Sequence, residues 1–157
     1  MAARLLVAAT LLALCPACMA DAIGRIKTLA GTVHIVRDGA RHPASLGEPV
    51  EQNDTIVTAD DGSVGITFID NSRFAAGPGS RLELARFRFD LTTHEGEFLT
   101  RLRQGTLSIV SGQMAKRSPQ AMQVETPITV LGVRGTEFVI KVNKESRWAP
   151  SPSWWPH

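Results

Sequence analysis

From Gly31 onward the chain alternates apolar and polar residues in short runs, each closed by glycine, asparagine, aspartate or proline. Gly31–Arg37 alternates through Val33 and Ile35 and closes at Asp38-Gly39. Asp54–Thr58 closes at Asp60-Asp61-Gly62, Ser63–Phe68 at Asp70-Asn71, and Phe74–Ala76 at Gly77-Pro78-Gly79, after which Arg81–Leu84 resumes. Period-two alternation bounded by turn residues is the signature of half-buried strands. No window beyond one short turn keeps a helical period with caps. The turn signals recur every eight or nine residues, a spacing that suits a small β-sandwich or the stacked rungs of a β-solenoid or β-roll. The expected fold is all-β, with both windings open.

The apolar register shifts between Leu82 and Phe89. Leu82 and Leu84 fall on even positions, Phe87 and Phe89 on odd ones. A regular strand would send the two pairs to opposite faces. A bulge near Ala85 keeps both on the core side, with Arg86 and Arg88 in solvent. Leu91–Glu97 reads as a loop, Phe98–Arg103 as mixed, and Gly105–Val110 as a strand. Ser111–Ala121 is the most loop-like part of the body, and Met122–Val142 forms a final strand pair.

The two ends differ from this body. Residues 1–20, MAARLLVAATLLALCPACMA, place Arg4 before the uncharged run Leu5–Leu14 and then small residues, the layout of a secretory signal peptide. The run is about half the ~20 residues a membrane span needs. Cleavage after Ala20 or Ala22 removes both cysteines, Cys15 and Cys18, and with them any disulfide, thiol nucleophile or thiolate metal site. A lipoprotein would be acylated on Cys18, but Cys15-Pro16 precedes it poorly. The segment 146–157, SRWAPSPSWWPH, cannot continue a sheet. The division expected is a leader over 1–20, a β domain over 23–145, and an irregular Pro/Trp-rich tail over 146–157.

Composition narrows the chemistry. Seventeen Lys and Arg against fifteen Asp and Glu give a charge of +2, which argues for no nucleic acid. His34, His42, His94 and His157 lack ligand spacing, so no metal is expected; His34 alternates outward, and His42 and His94 fall in loops. No nucleophile elbow surrounds any serine. Asp60-Asp61 and Asp70-Asn71 read as turn formers, not as calcium ligands. No cofactor and no catalytic residue is expected. Arg81, Arg86, Arg88, Arg101 and Arg103 alternate with apolar residues, as a solvated strand face or as a surface for an anionic partner.

The stretch Thr126–Val142, TPITVLGVRGTEFVIKV, carries the most specific pattern. Thr126-Pro127 is followed by Gly132-Val133-Arg134-Gly135-Thr136-Glu137-Phe138. Upstream lie Asn53-Asp54-Thr55-Ile56-Val57-Thr58, Asp70-Asn71-Ser72, Gly77–Leu82 and Gly105-Thr106-Leu107. Together these resemble the FecR-like periplasmic domain over roughly 50–142, with Asn53 and Asn71 where that family favours glycine. Pro127 is expected to start a strand, Gly132 and Gly135 to permit special geometry, and Arg134 and Glu137 to turn inward and pair at a corner that closes the fold.

The resemblance implies an envelope protein without catalytic activity. The best-known relatives are cell-surface signalling regulators that sense a TonB-dependent receptor and control a sigma factor. Here no cytoplasmic segment precedes the leader, which points to a secreted, stand-alone form that binds another envelope protein. Receptor-to-sigma-factor signalling and ligand or glycan binding through the arginine face are the alternatives.

Overall fold

The computed structural model describes residues 21–143. The expected leader and the Pro/Trp-rich tail lie outside the described residues. Among the described residues twelve strands form one curled sheet, antiparallel but for one pairing, that wraps like half a barrel. Its first half orders β4 (Pro49–Glu51), β1 (Ala22–Ala30), β6 (Ser63–Phe68), β7 (Arg73–Ala76), β9 (Gly96–Val110) and β12 (Glu137–Val142). Its second half orders β3 (Ala40–Pro43), β2 (Val33–Arg37), β5 (Thr55–Thr58), β8 (Arg81–Phe89), β9 again, β10 (Met122–Glu125) and β11 (Val130–Gly132). A five-residue helix, α1 (Gln113–Arg117), follows β9.

The fifteen-residue β9 organises the molecule because both halves share it. On one flank it pairs with β8 along Gly96–Gln104 and with β7 along Leu107–Val110. On the other flank β10 runs parallel to Phe98–Arg101, and β12 runs antiparallel to Gly105–Val110. The strand turns its corner at Gly105, where φ is +96°. A Cβ there would lie 2.4 Å from the Ser80 Cα, so only glycine fits. Neighbouring corners stack on this one. Thr106 O accepts from Gly77 N (2.9 Å), Thr58 Oγ1 from Ser80 N (2.8 Å), Ala59 O from Gly79 N (2.9 Å) and Thr32 O from Ala59 N (2.9 Å). The regular turn punctuation of the sequence thus marks both strand hairpins and crossings between the two halves.

The core fills the space inside the curl. Phe68 and Phe74 from the first half meet Phe87 and Phe98 from the second, with Phe98 centroids 4.7, 5.0 and 4.9 Å from Phe68, Phe74 and Phe87. Ile26, Ile35, Ile56, Leu82, Leu102, Leu107 and Ile109 are fully buried around them. The bulge expected near Ala85 is present. Glu83 faces Arg101, but the next pair is Arg86 with Leu99, so Leu84 and Ala85 together oppose Thr100. Leu82, Leu84 and Phe87 are buried, Phe89 is half-buried, and Arg86 and Arg88 face solvent. The Gln52–Asp54 turn fills the irregularity: Gln52 Oε1 accepts from Phe87 N (3.0 Å) and Leu84 O from Asn53 N (2.7 Å).

Four expectations need correction. Gly96–Val110 is one bent strand, not a loop end, a mixed piece and a strand. Glu97, Arg101 and Arg103 face outward while Phe98, Thr100 and Leu102 face the core. Ser111–Ala121 contains α1, which forms because Met114 and Ala115 are buried against the core; tertiary packing supplies what local propensity does not. Strand pairing begins at Ala22, before Gly31: β1 lies between β4 and β6 and buries Ile23 and Ile26. His42 lies in β3, held there by pairing with Ile35.

Candidate functional site

The motif Thr126–Phe138 spans the β10–β11 hairpin turn, β11 and the crossing to β12. Thr126 N donates to Thr129 O (2.8 Å), and Thr129 N to Thr126 Oγ1 (3.2 Å), making the β10–β11 hairpin turn. Pro127 therefore sits in a turn, not at a strand start; it has no N–H to leave unpaired there. Val133 is buried, and its N–H donates to Met122 O (2.9 Å). The chain then crosses to the other half. Ser111 grips this crossing twice, its N–H on Thr136 O (2.9 Å) and its hydroxyl on Gly135 O (2.6 Å). Gly135 has φ +121°, a backbone that side chains disfavour, whereas Gly132 is exposed with open space around it. Phe138 is half-buried against the core.

The inward Arg134–Glu137 pair is not formed. Both residues are exposed. Arg134 lines a shallow cleft with Arg117 and Gln120, while Glu137 lies on the rim of a depression with Lys27 and Arg73. The backbone already satisfies the crossing through Ser111, so burying two charges would only add a desolvation cost. Ser111 holds the crossing through its N–H and its hydroxyl, and the motif's charges lie at the surface.

The arginine face is largely neutralised. Arg101 bridges Glu125 (Nε–Oε2, 2.9 Å) and Glu83 (NH1–Oε1, 2.8 Å). Hydrogen bonding to Glu125, then to Glu83, raises its pKa further above the usual arginine value. Arg103 lies 3.5 Å from Glu83, and Arg86 3.0 Å from Glu97. Arg81 and Arg88 are exposed on the same strand, β8. The glutamates responsible sit across the ladder, so the pairing depends on strand order and not on sequence neighbours.

Two acids, Asp54 and Asp70, are buried and serve the fold. Asp54 is fully buried and takes a forked bond from Arg37, Nε to Oδ1 at 2.8 Å and NH2 to Oδ2 at 2.7 Å, while Oδ2 also accepts from Glu51 N (2.8 Å). That hydrogen bond to Asp54, opposed by burial, pushes the Arg37 pKa up, with Asp54, Glu51 and Glu48 adding their charge. Asp70, also buried, accepts from Ser72 N (3.0 Å) and Ser72 Oγ (2.6 Å). Gly112 N in turn donates to Ser72 Oγ (3.0 Å), tying the end of β9 to this turn. Among the described residues no group of three or more His, Cys, Asp or Glu could hold a metal ion.

The remaining unusual surface is an edge. Among the described residues β12 is paired on one side only, by β9. Val139 on it is 63% exposed, and Ile128, in the β10–β11 hairpin turn, is 90% exposed. Val130 and Leu131 of β11 are exposed beside that turn.

These features define a small all-β domain whose polar residues serve turns, crossings and surface ladders. A family model described as FecR protein matches residues 54–149, and the chain belongs to the FecR family. Asn53 and Asn71, where that family favours glycine, have φ of +71° and +65°, which asparagine tolerates best among side-chain-bearing residues. A solved structure described as a cell surface anchoring domain is 34% identical over 40% of this chain and 84% of its own, with a TM-score of 0.39. No curated protein matches this chain.

Proposed function

We propose that this chain is an exported, non-catalytic protein-interaction module of the cell envelope, with residues 1–20 as leader, 23–145 as the working domain and 146–157 as an appended tail. Family membership supports the setting. The single observation that carries the role is the β12 edge, a regular strand paired on one side only among the described residues, with Val139 63% exposed on it. A strand edge offers main-chain hydrogen bonds for affinity and alternate side chains for specificity. The arginine face is the weaker surface for an anionic ligand, since Glu83, Glu97 and Glu125 already occupy Arg86, Arg101 and Arg103.

The test is a photo-crosslinking residue placed at Val139 or at Arg88 in cells making the full chain. Protein adducts from Val139, in a periplasmic fraction whose intact mass starts at Asp21 or Ile23, are expected. Adducts from Arg88 alone would move the interaction to the arginine face. No adduct at either position would overturn the role. A receptor's signalling domain as the adduct would assign the module to cell-surface signalling.

A further inference from the structure

Edge strands are normally blunted against unwanted pairing, and this fold blunts its edges unequally. At the two opposite ends of the strand order, β3 carries Arg41 and ends on Pro43, and β4 is three residues long and starts on Pro49. Off that order, β11 is an edge three residues long, paired only with β10. β12 runs for six residues, contains no proline, and keeps one uninterrupted register with β9 from Glu137↔Val110 to Val142↔Gly105. It is the longest edge among the described residues.

The side chains on that edge are self-complementary. Ile140 is buried, and Phe138 and Val142 pack against the core. The outward residues are Glu137, Val139 and Lys141, an acid, an apolar residue and a base in order. Neither charge has an ion-pair partner among the described residues. In an antiparallel pair, directly opposed residues share a face. We infer that β12 pairs antiparallel with β12 of a second copy of this chain, about a two-fold axis at Val139.

That register sets Glu137 against Lys141 of the partner subunit, and Lys141 against the partner's Glu137. Val139 meets the partner's Val139, and Phe138 faces the partner's Ile140 on the core side. Moving the axis to Phe138 or Ile140 preserves the faces but sets one charge against Val139 and leaves the other beyond the pairing. Only the Val139 axis satisfies both charges, and opposite charges across strands stabilise a pair while like charges oppose it. A closed two-fold arrangement uses one edge per copy and ends there, so it protects the edge instead of propagating a fibre. Six residues of strand make a small interface, below the area of tight complexes, so a reversible dimer is expected.

This inference deepens the interaction-module reading by naming one partner, yet it can fail alone: a monomeric chain that still crosslinks to another envelope protein keeps that reading. The experiment is sedimentation velocity on the full exported chain from low to high micromolar concentration, with Lys141→Glu, Glu137→Lys and the double exchange. Wild type is expected to dimerise with concentration, and each single variant to dissociate about tenfold more readily or worse. The double exchange restores the dimer, and an equimolar mixture of the two single variants dimerises where neither does alone. A monomeric wild type, or a dimer indifferent to these charges, overturns the inference. So does hydrogen-exchange protection of β12 amides that is independent of concentration, which would mean the chain's own segment covers the edge.

Discussion

At the scale of single residues, the turns show how tightly local chemistry is matched to the backbone. Asn71 holds φ +65° in the β6–β7 turn, between buried Asp70 and buried Ser72. Asn71→Gly is expected to change stability by only a few tenths of a kcal/mol, whereas Asn71→Ala costs about 1–2 kcal/mol from the left-handed strain. Thermal melts of the two variants check this, and equal melting temperatures would sink it. Asp90 shows the corresponding electrostatic effect. Its carboxylate accepts from Thr92 N (2.7 Å) and Thr93 N (2.9 Å), and those bonds, Thr93 first, hold its pKa below the ordinary 3.8. A depressed acid stabilises the fold fully above its unfolded pKa and loses that contribution as pH falls through the folded value. The carboxyl carbon of Asp90 is therefore expected to titrate, by NMR, below 3.8.

Elements depend on what crosses between them, and here sequence reading divides clearly. The β8 bulge was legible because Leu82, Leu84, Phe87 and Phe89 change parity within eight residues. The bend of β9 was not, because Gln104-Gly105 reads as a simple boundary between two runs; nothing local says that Ser80 will press on the Gly105 Cα. The helix α1 was illegible for the same reason, since Met114 earns its burial from partners far along the chain. The motif around Gly135 is legible by its pattern, but the outward course of Arg134 and Glu137 is not, because alternation cannot tell that Ser111 already holds the crossing. Gly105→Val tests the reading of the corner. Positive φ and a Cβ against Ser80 backbone predict a loss of about 2–5 kcal/mol. Gly132→Ala, into open space, is expected to stay within about 0.5 kcal/mol. Urea midpoints that rank the two the other way would contradict it.

For the whole molecule, the consequence of sharing β9 is cooperativity. A sandwich of two independent sheets can loosen one sheet while the other persists. Here a single strand carries ladder bonds to both halves, and the Phe68, Phe74, Phe87 and Phe98 rings interlock across them. Phe98 is fully buried at the centre of that cluster and lies on β9 itself. Phe98→Ala removes its contacts with both halves at once and leaves a cavity, a change that costs about 3–5 kcal/mol. That is a large share of the roughly 5–15 kcal/mol typical of a domain. The loss is expected to fall on both halves equally. Amide exchange at Ile35 in β2 and at Ile66 in β6 should accelerate by the same factor, because both open only when β9 does. Faster exchange at Ile35 with Ile66 unchanged would mean that the halves unfold separately, and that the corner at Gly105 is a hinge between two units rather than the spine of one.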